Sequence, residues 1–378
     1  MIVKSGEKAE VSLMREVKRR QWTLSMSAAL ALHSPYTPWQ GNVPSLPRSR
    51  QAAAVVSLRS SAMASHPTGK VAIVGSGLIG RSWAMLFASA GYRVCLYDVD
   101  GEQVPKALLD IQVQLEEIDN AGLLRGDLNK NQQFQLISGN TNLEDAVKGA
   151  IYVQECVPEN LELKRKVLTR LDELVDGERC IVASSTSSIV PSKLTQGLKK
   201  KARMIVAHPV NPPYYVPLVE IVPAPWTHPD VTQQVRDIMI QIGQKPVVLK
   251  KEKDGFVLNR IQYAIITECW RLMEEGILEP SEIDTVMSEG LGMRYAFLGP
   301  LETAHLNAQG MGEYCEKYGE MILRVAKDFG PVPSMKGETL EMVTKDLERR
   351  VPISSLPQRR GWRDKCLMAL ASIKNTQP

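Results

Sequence analysis

No run of eighteen consecutive apolar residues occurs in the 378-residue chain, so no membrane-spanning helix is expected. No Cys-x-x-Cys pair occurs either. The six cysteines (Cys95, Cys156, Cys180, Cys269, Cys315 and Cys366) lie far apart. That scatter suits reduced thiols in a cytoplasmic protein better than zinc sites or disulfides, and no metal site is expected. Acidic residues are missing altogether between Glu16 and Asp98. Residues 1–62 hold nine Lys/Arg against three Glu, a local charge of +6; with +4 for the whole chain, the remaining 316 residues carry −2. The body is therefore nearly neutral, which argues against a nucleic-acid partner. What remains is globular in composition, 44% apolar and 23% charged, with length enough for two domains.

Residues 1–68 stand apart. They are rich in Ser, Pro, Arg and Ala and show no sustained periodicity. They read as a disordered extension, of the kind an upstream start codon adds, because Met63 opens MASHPTGKVAIVG just before a strand. The basic, acid-poor composition leaves a mitochondrial transit peptide as the alternative.

Residues 70–98 carry the first chemical signal. Val71 to Val74 form a short apolar run suited to a buried parallel strand. Gly75-Ser76-Gly77-Leu78-Ile79-Gly80 follows, then Trp83, Leu86, Phe87 and Ala90 at helical spacing. Gly91 stops the helix, and a second strand, Tyr92 to Tyr97, ends at Asp98, eighteen residues past Gly80. A glycine motif between strand and helix, with an acid after the next strand, is the dinucleotide fingerprint. Gly75 permits the turn, Gly77 lets the backbone approach a pyrophosphate, and Gly80 lets helix and strand pack closely. Asp98 suits the two ribose hydroxyls and would repel a 2′-phosphate, so the expected cofactor is NAD. Strand-like runs at Ile151–Val153, Ile181–Ala183 and Met204–Ala207, with a helical pattern from Leu161 to Val175, predict an α/β, doubly wound parallel sheet ending near Val247–Leu249.

Of five histidines, His208 is the one placed for chemistry. It follows the strand-like MIVA in AHPVNPPYYVPLVEIV, at the ligand side of such a sheet. Its loop is stiffened by Pro209, Pro212, Pro213 and Pro217, and Glu220 comes twelve residues later, between apolar neighbours. Oxidation of an alcohol needs one base, and histidine, with an ordinary pKa of about 6.5, suits that role when a carboxylate fixes its tautomer. The SSTSS segment (Ser184–Ser188) offers hydroxyls at another strand end, or simply a turn. Asn259, in DGFVLNR, opens a long apolar-striped helix and is either a site amide or a surface one.

Together VGSGLIG, ECVPENLELK, SSTSS, HPVNPP…LVE and GFVLNR resemble the 3-hydroxyacyl-CoA dehydrogenase family, over residues 70 to about 370. The resemblance implies a Rossmann-type domain over 69–252 and an all-α C-terminal domain over 253–378 that forms a homodimer. It implies His208, Glu220, Ser187 and Asn259 as catalytic residues, with Ser187, Asn211 and Asn259 against the substrate. It adds Leu78, Ile79, Asp98, Glu159 and Lys164 to the NAD contacts, although spacing alone makes Glu159 and Lys164 a surface pair. Two departures bear on the substrate. Acyl-CoA enzymes of the family have Phe-Phe where this chain has Pro209-Val210, and Pro-Met-Gly-Pro within the stretch occupied here by Gly292 to Pro300. RSWAMLFASAGYRV and EGLGMRYAFLGPLET are similar to the branch that oxidises the 3-hydroxyl of L-gulonate, and Arg294 is expected to meet a free carboxylate. Its other reading is an interface or structural arginine. The rival functions are a hydroxyacyl-CoA or carnitine dehydrogenase, a structural protein of the lens, and a bare NAD-binding module.

From Gly255 onward the pattern is helical. Val257, Leu258, Ile261, Ile265, Cys269, Leu272 and Met273 form a stripe that demands burial, within the chain or across a dimer. Ser281 to Asp284 predict a capping box after Pro280. Gly310–Phe329 and Trp362–Ile373 are further helix candidates.

Overall fold

A computed structural model describes residues 69–376, so the expectations for residues 1–68 lie outside the described residues. The chain enters the fold at β1 (Lys70–Val74). Val71 and Ile73 of this strand join one buried apolar cluster, and Ala72 and Val74 join a second. A strand apolar on both faces is what a parallel sheet covered by helices on both sides requires.

The glycine turn leads into α1 (Leu78–Ser89), whose Trp83, Leu86 and Phe87 are fully buried in the first cluster. The helix stops where Gly91 takes a φ of 92°. Then come β2 (Arg93–Tyr97), α2 (Gln103–Asn120), α3 (Lys130–Gln135), β3 (Ile137–Asn140), α4 (Leu143–Val147) and β4 (Ala150–Glu155). They are followed by α5 (Leu161–Leu174), β5 (Ile181–Ser184), α6 (Pro191–Thr195), β6 (Met204–Pro209), β7 (Leu218–Pro223), α7 (Pro229–Gln241) and β8 (Lys245–Val248). The sheet has eight strands in the order β3-β2-β1-β4-β5-β6-β7-β8. The order reverses between β1 and β4, so the carboxyl ends of these two strands open the crevice where doubly wound sheets take ligands.

One pairing departs from the expected all-parallel sheet. β6 and β7 are antiparallel, with His208 directly opposite Glu220. His208 therefore lies inside β6 rather than beyond its end. The Pro-rich segment is the connection of a long hairpin, and the twelve-residue spacing is its length between facing positions.

Helices alone follow. They are α8 (Leu258–Glu274), α9 (Pro280–Thr285), α10 (Gly292–Tyr295), α11 (Pro300–Leu306), α12 (Met311–Asp328), α13 (Glu338–Arg350) and α14 (Leu356–Thr376). The capping arrangement of α9 sits earlier than Ser281. Pro280 is the first helical residue, and the Glu279 amide donates to Glu282 Oε2 at 3.0 Å. A proline fits there because its missing N–H would have had no intrahelical partner.

The apolar stripes of this half do not close on one another. α12 has no buried residue, and Leu323 on it is 62% exposed. Ile261 on α8, Phe297, and Leu301 and Leu306 on α11 are exposed as well. No helix among the described residues is long and apolar enough to cross a membrane.

Candidate active site

The glycine turn is shaped by what surrounds it. Gly75 has a φ of +108°, and a Cβ there would meet the Cys156 carbonyl oxygen at 2.8 Å. A Cβ on Gly80 would sit 1.9 Å from the Gly75 carbonyl oxygen, so only glycine lets α1 start this close to β1. Gly77 is different: a Cβ there would meet nothing within 4 Å. The space over the start of α1 is open, and no side chain caps that helix. Its first amides are free to face an anion.

Asp98 is held at the end of β2. Ser76 donates to Asp98 Oδ2 through its amide at 2.9 Å and its hydroxyl at 2.6 Å. The Asp100 amide donates to Oδ1 at 3.1 Å. Burial pushes the Asp98 carboxyl up, but these bonds outweigh it and hold the group below its ordinary value. An open space over the helix start and a carboxylate fixed at the end of the adjacent strand fit NAD. Ile79 lines the neighbouring cavity, and Leu78 is exposed on the first turn.

The hairpin brings the second group together. His208 Nδ1 faces Glu220 Oε2 at 2.9 Å, and both side chains are buried. Glu220 Oε1 accepts the amides of Val257 at 2.8 Å and Leu258 at 2.9 Å, at the start of α8. Burial pushes the Glu220 carboxyl up; the bonds from His208, Leu258 and Val257 overcome this and leave it below its ordinary value. A carboxylate can only accept, so Nδ1 carries the hydrogen, and in the neutral ring the lone pair is on Nε2.

The SSTSS loop follows β5. The hydroxyls of Thr186 (2.6 Å), Ser187 (3.2 Å) and Ser188 (3.3 Å) all donate to Glu159 Oε1. The Ser187 amide does the same at 2.9 Å. Burial raises the Glu159 carboxyl, while Thr186, the Lys164 charge and Ser187 bring it below its ordinary value. Asn259 Nδ2 donates to the Ser187 carbonyl at 2.6 Å, which ties α8 to the loop. The Ser187 hydroxyl oxygen and the other Asn259 N–H remain to face a ligand.

Lys164 overturns the surface-pair reading. It is 1% exposed, and its Nζ lies 2.9 Å from Glu155 Oε1, 3.0 Å from the Val157 carbonyl oxygen and 3.5 Å from Glu159 Oε2. It thus holds the carboxyl end of β4 together.

A cavity of 490 Å³ gathers Ile79, Glu159, Ser187, His208, Asn211 and Asn259 along its walls. Among the described residues, Lys164 is the one Lys or Arg of its lining. Arg294 is not part of that wall; it lies exposed on α10. Sequence reasoning missed Glu155, whose signal was an acid closing an apolar strand nine residues before a lysine. It also missed Ser76 as the holder of Asp98, and Phe256, whose ring lies 5.5 Å from the His208 ring.

Known proteins share this architecture. The family model for the NAD-binding domain of 3-hydroxyacyl-CoA dehydrogenase matches residues 70–253, and that for its C-terminal domain matches residues 255–341. A Rattus norvegicus protein named lambda-crystallin homolog is 55% identical over 315 residues, 83% of this chain and 98% of its own. L-carnitine dehydrogenase of Oceanobacillus iheyensis is 33% identical over 307 residues, 80% of this chain and 97% of its own. Among solved structures, 5-formyl-3-hydroxy-2-methylpyridine 4-carboxylic acid 5-dehydrogenase, an NAD+ dependent dismutase, superposes with a TM-score of 0.69 at 27% identity, covering 82% of this chain and 98% of that one.

Two outcomes follow from the geometry. Gly77→Ala should weaken NADH binding about tenfold or more while leaving the urea midpoint near wild type, because its Cβ fills the phosphate space and touches nothing else. Gly80→Ala should lower the urea midpoint itself; fluorescence titration with NADH and urea unfolding separate the two. Glu220, Glu159 and Asp98 all have lowered carboxyl pKa values in the fold, so they add stability above the ordinary carboxylate range, and it is lost as pH falls through their folded values. Acid unfolding curves of Glu220→Gln should show a shallower loss below about pH 4.5 than wild type.

Proposed function

The chain belongs to the 3-hydroxyacyl-CoA dehydrogenase family of NAD-dependent enzymes, and we propose that it oxidises the 3-hydroxyl of L-gulonate to 3-dehydro-L-gulonate. The carrying observation is the buried His208–Glu220 dyad at 2.9 Å, with His208 on the wall of the cavity that Ile79 of the glycine motif also lines. NAD supplies the hydride acceptor. His208 Nε2 takes the hydroxyl proton as hydride leaves C3. Glu220 keeps the ring in the competent tautomer and offsets the imidazolium charge. The second Asn259 N–H would donate to the reacting oxygen, Ser187 would join it by turning its hydroxyl from Glu159 to that oxygen, and Asn211 lines the same space.

Several features favour a free hydroxy acid over a thioester. Carnitine and the pyridine carboxylic acid named for the two dehydrogenases above are carboxylates. Pro209-Val210 replaces the Phe-Phe of acyl-CoA enzymes. L-Gulonate itself rests on the likeness of RSWAMLFASAGYRV and EGLGMRYAFLGPLET to the branch that uses it.

The protein is read as a cytoplasmic homodimer. All six cysteines are unpaired, as in a reducing compartment. The exposed apolar side chains of α8, α11 and α12 are the face a second copy would cover. Arg294 lies on this helical half, outside its own cavity, so its guanidinium would meet a substrate carboxylate from the partner's side of the dimer.

NADH formation from gulonate, 3-hydroxybutyrate, carnitine and hydroxyacyl-CoA in parallel tests the substrate. Gulonate should be preferred. Turnover kept by His208→Gln would remove His208 from the base role; no turnover of any substrate by the wild type would leave a structural or NAD-binding protein. His208→Gln should lose turnover and keep NADH affinity.

Sedimentation should give a dimer, and Leu323→Lys should weaken it. Arg294→Met should raise the KM for gulonate. Mixing it with His208→Gln should restore part of the activity, because one site of the hybrid then holds both intact groups. A monomeric wild type, or no recovery on mixing, would remove the shared-site reading.

A further inference from the structure

Phe256 takes no part in the chemistry described above, yet its backbone is unusual. It has a φ of 50°, in the left-handed region, and its side chain is fully buried. A bulky residue adopts that conformation at a cost, and it persists only where the surroundings over-determine it. Those surroundings are visible on both sides. The Phe256 amide donates to the Lys253 carbonyl at 2.9 Å, and Gly255 before it has a φ of 73°. The next two amides, of Val257 and Leu258, both donate to Glu220 Oε1. The ring belongs to the second apolar cluster, with Val74, Val206 and Val222, and its centroid lies 5.5 Å from that of His208 at an interplanar angle of 55°.

One three-residue turn therefore touches both halves of the dyad. Its side chain lies against the imidazole, and its following amides grip the carboxylate to which that imidazole donates. An extended or right-handed backbone at residue 256 would redirect the ring relative to the two amides, and one of the contacts would be lost.

We infer that Phe256 is a positioning residue for His208, setting the imidazole plane so that the proton acceptor of the sheet takes its orientation from the first turn of the helix that carries Asn259. The titratable groups on His208 are few: Glu220 of β7 bonds it directly, and Glu159, Lys164 and Cys156 share its cavity wall. None of these lies on the 256–258 turn; Asp254 just before it pairs with Lys193, and replacing the uncharged Phe256 removes no charge near the ring. The inference rests on His208 as the proton acceptor and is indifferent to which hydroxy acid is oxidised.

The test uses the full chain with Phe256→Leu, which keeps apolar volume but loses the flat face, and Phe256→Ala. The readouts are kcat, KM, the pH dependence of kcat/KM, NADH affinity, and 15N imidazole shifts of His208 with and without NAD. Both variants should lower kcat by about tenfold to a hundredfold with NADH affinity little changed. The acid limb should move, and the His208 shifts should report a weakened Nδ1–H tautomer, more in Ala than in Leu. Wild-type kcat, limb and shifts beside a lowered urea midpoint would overturn the inference, since Phe256 would then be core packing alone. If Phe256→Ala does not fold, Phe256→Leu decides by the same criteria. If His208→Gln keeps turnover, the acceptor assignment itself fails, a result distinct from a wild-type-like Phe256→Leu beside an inactive His208→Gln.

Discussion

The carboxylate of Glu220 is where the sheet, the helices and the reacting group meet. A buried carboxylate left without partners costs several kcal/mol. Glu220 has three, one from the imidazole across the hairpin and two from the first amides of α8. The antiparallel register of β6 and β7 supplies the first, and the seating of α8 supplies the others. Neither half of the molecule satisfies the group alone. Asn259 follows one residue after the second of these amides, so the geometry that satisfies Glu220 also delivers Asn259 to Ser187.

A second set of carboxylates works in the same way on the cofactor side. Glu155 is fully buried and meets Lys164, the Val157 amide and the Ser184 hydroxyl. Glu159 stands on the cavity wall and collects donors from the SSTSS loop. Main-chain and hydroxyl donors converging on acids at strand ends fix loops that would otherwise be free. The result is a fixed wall, with the Ser187 main chain held by Glu159 on one side and Asn259 on the other.

Local features of this site were legible in the sequence because their causes are local. The glycine turn, its flanking strand and helix, and Asp98 all fall within thirty residues, and each obeys a short-range steric rule. His208 and Glu220 were readable as a pair, but the hairpin that makes them face each other was not, since antiparallel pairing is decided by neighbours across the sheet. Lys164 was misread for a related reason. A lysine in a polar helical pattern looks solvated, and only the placement of Glu155 beneath it makes burial tolerable. Phe256 was passed over, because a backbone angle leaves no mark in composition.

The helical half was legible as helices and opaque as packing. Its stripes predicted burial, and the chain's own helices leave much of that surface exposed. On the proposed reading this has a chemical consequence. Lys164, the one Lys or Arg among the described residues lining the cavity, is already paired with Glu155 and Glu159. If the substrate is a free hydroxy acid, its carboxylate would take its partner from outside this lining, and Arg294 stands exposed on the helical half. A monomer would then own a complete proton acceptor and hydride path yet bind its anionic substrate poorly. Assembly and substrate selection would share one cause: an apolar surface that needs covering, with an arginine within it.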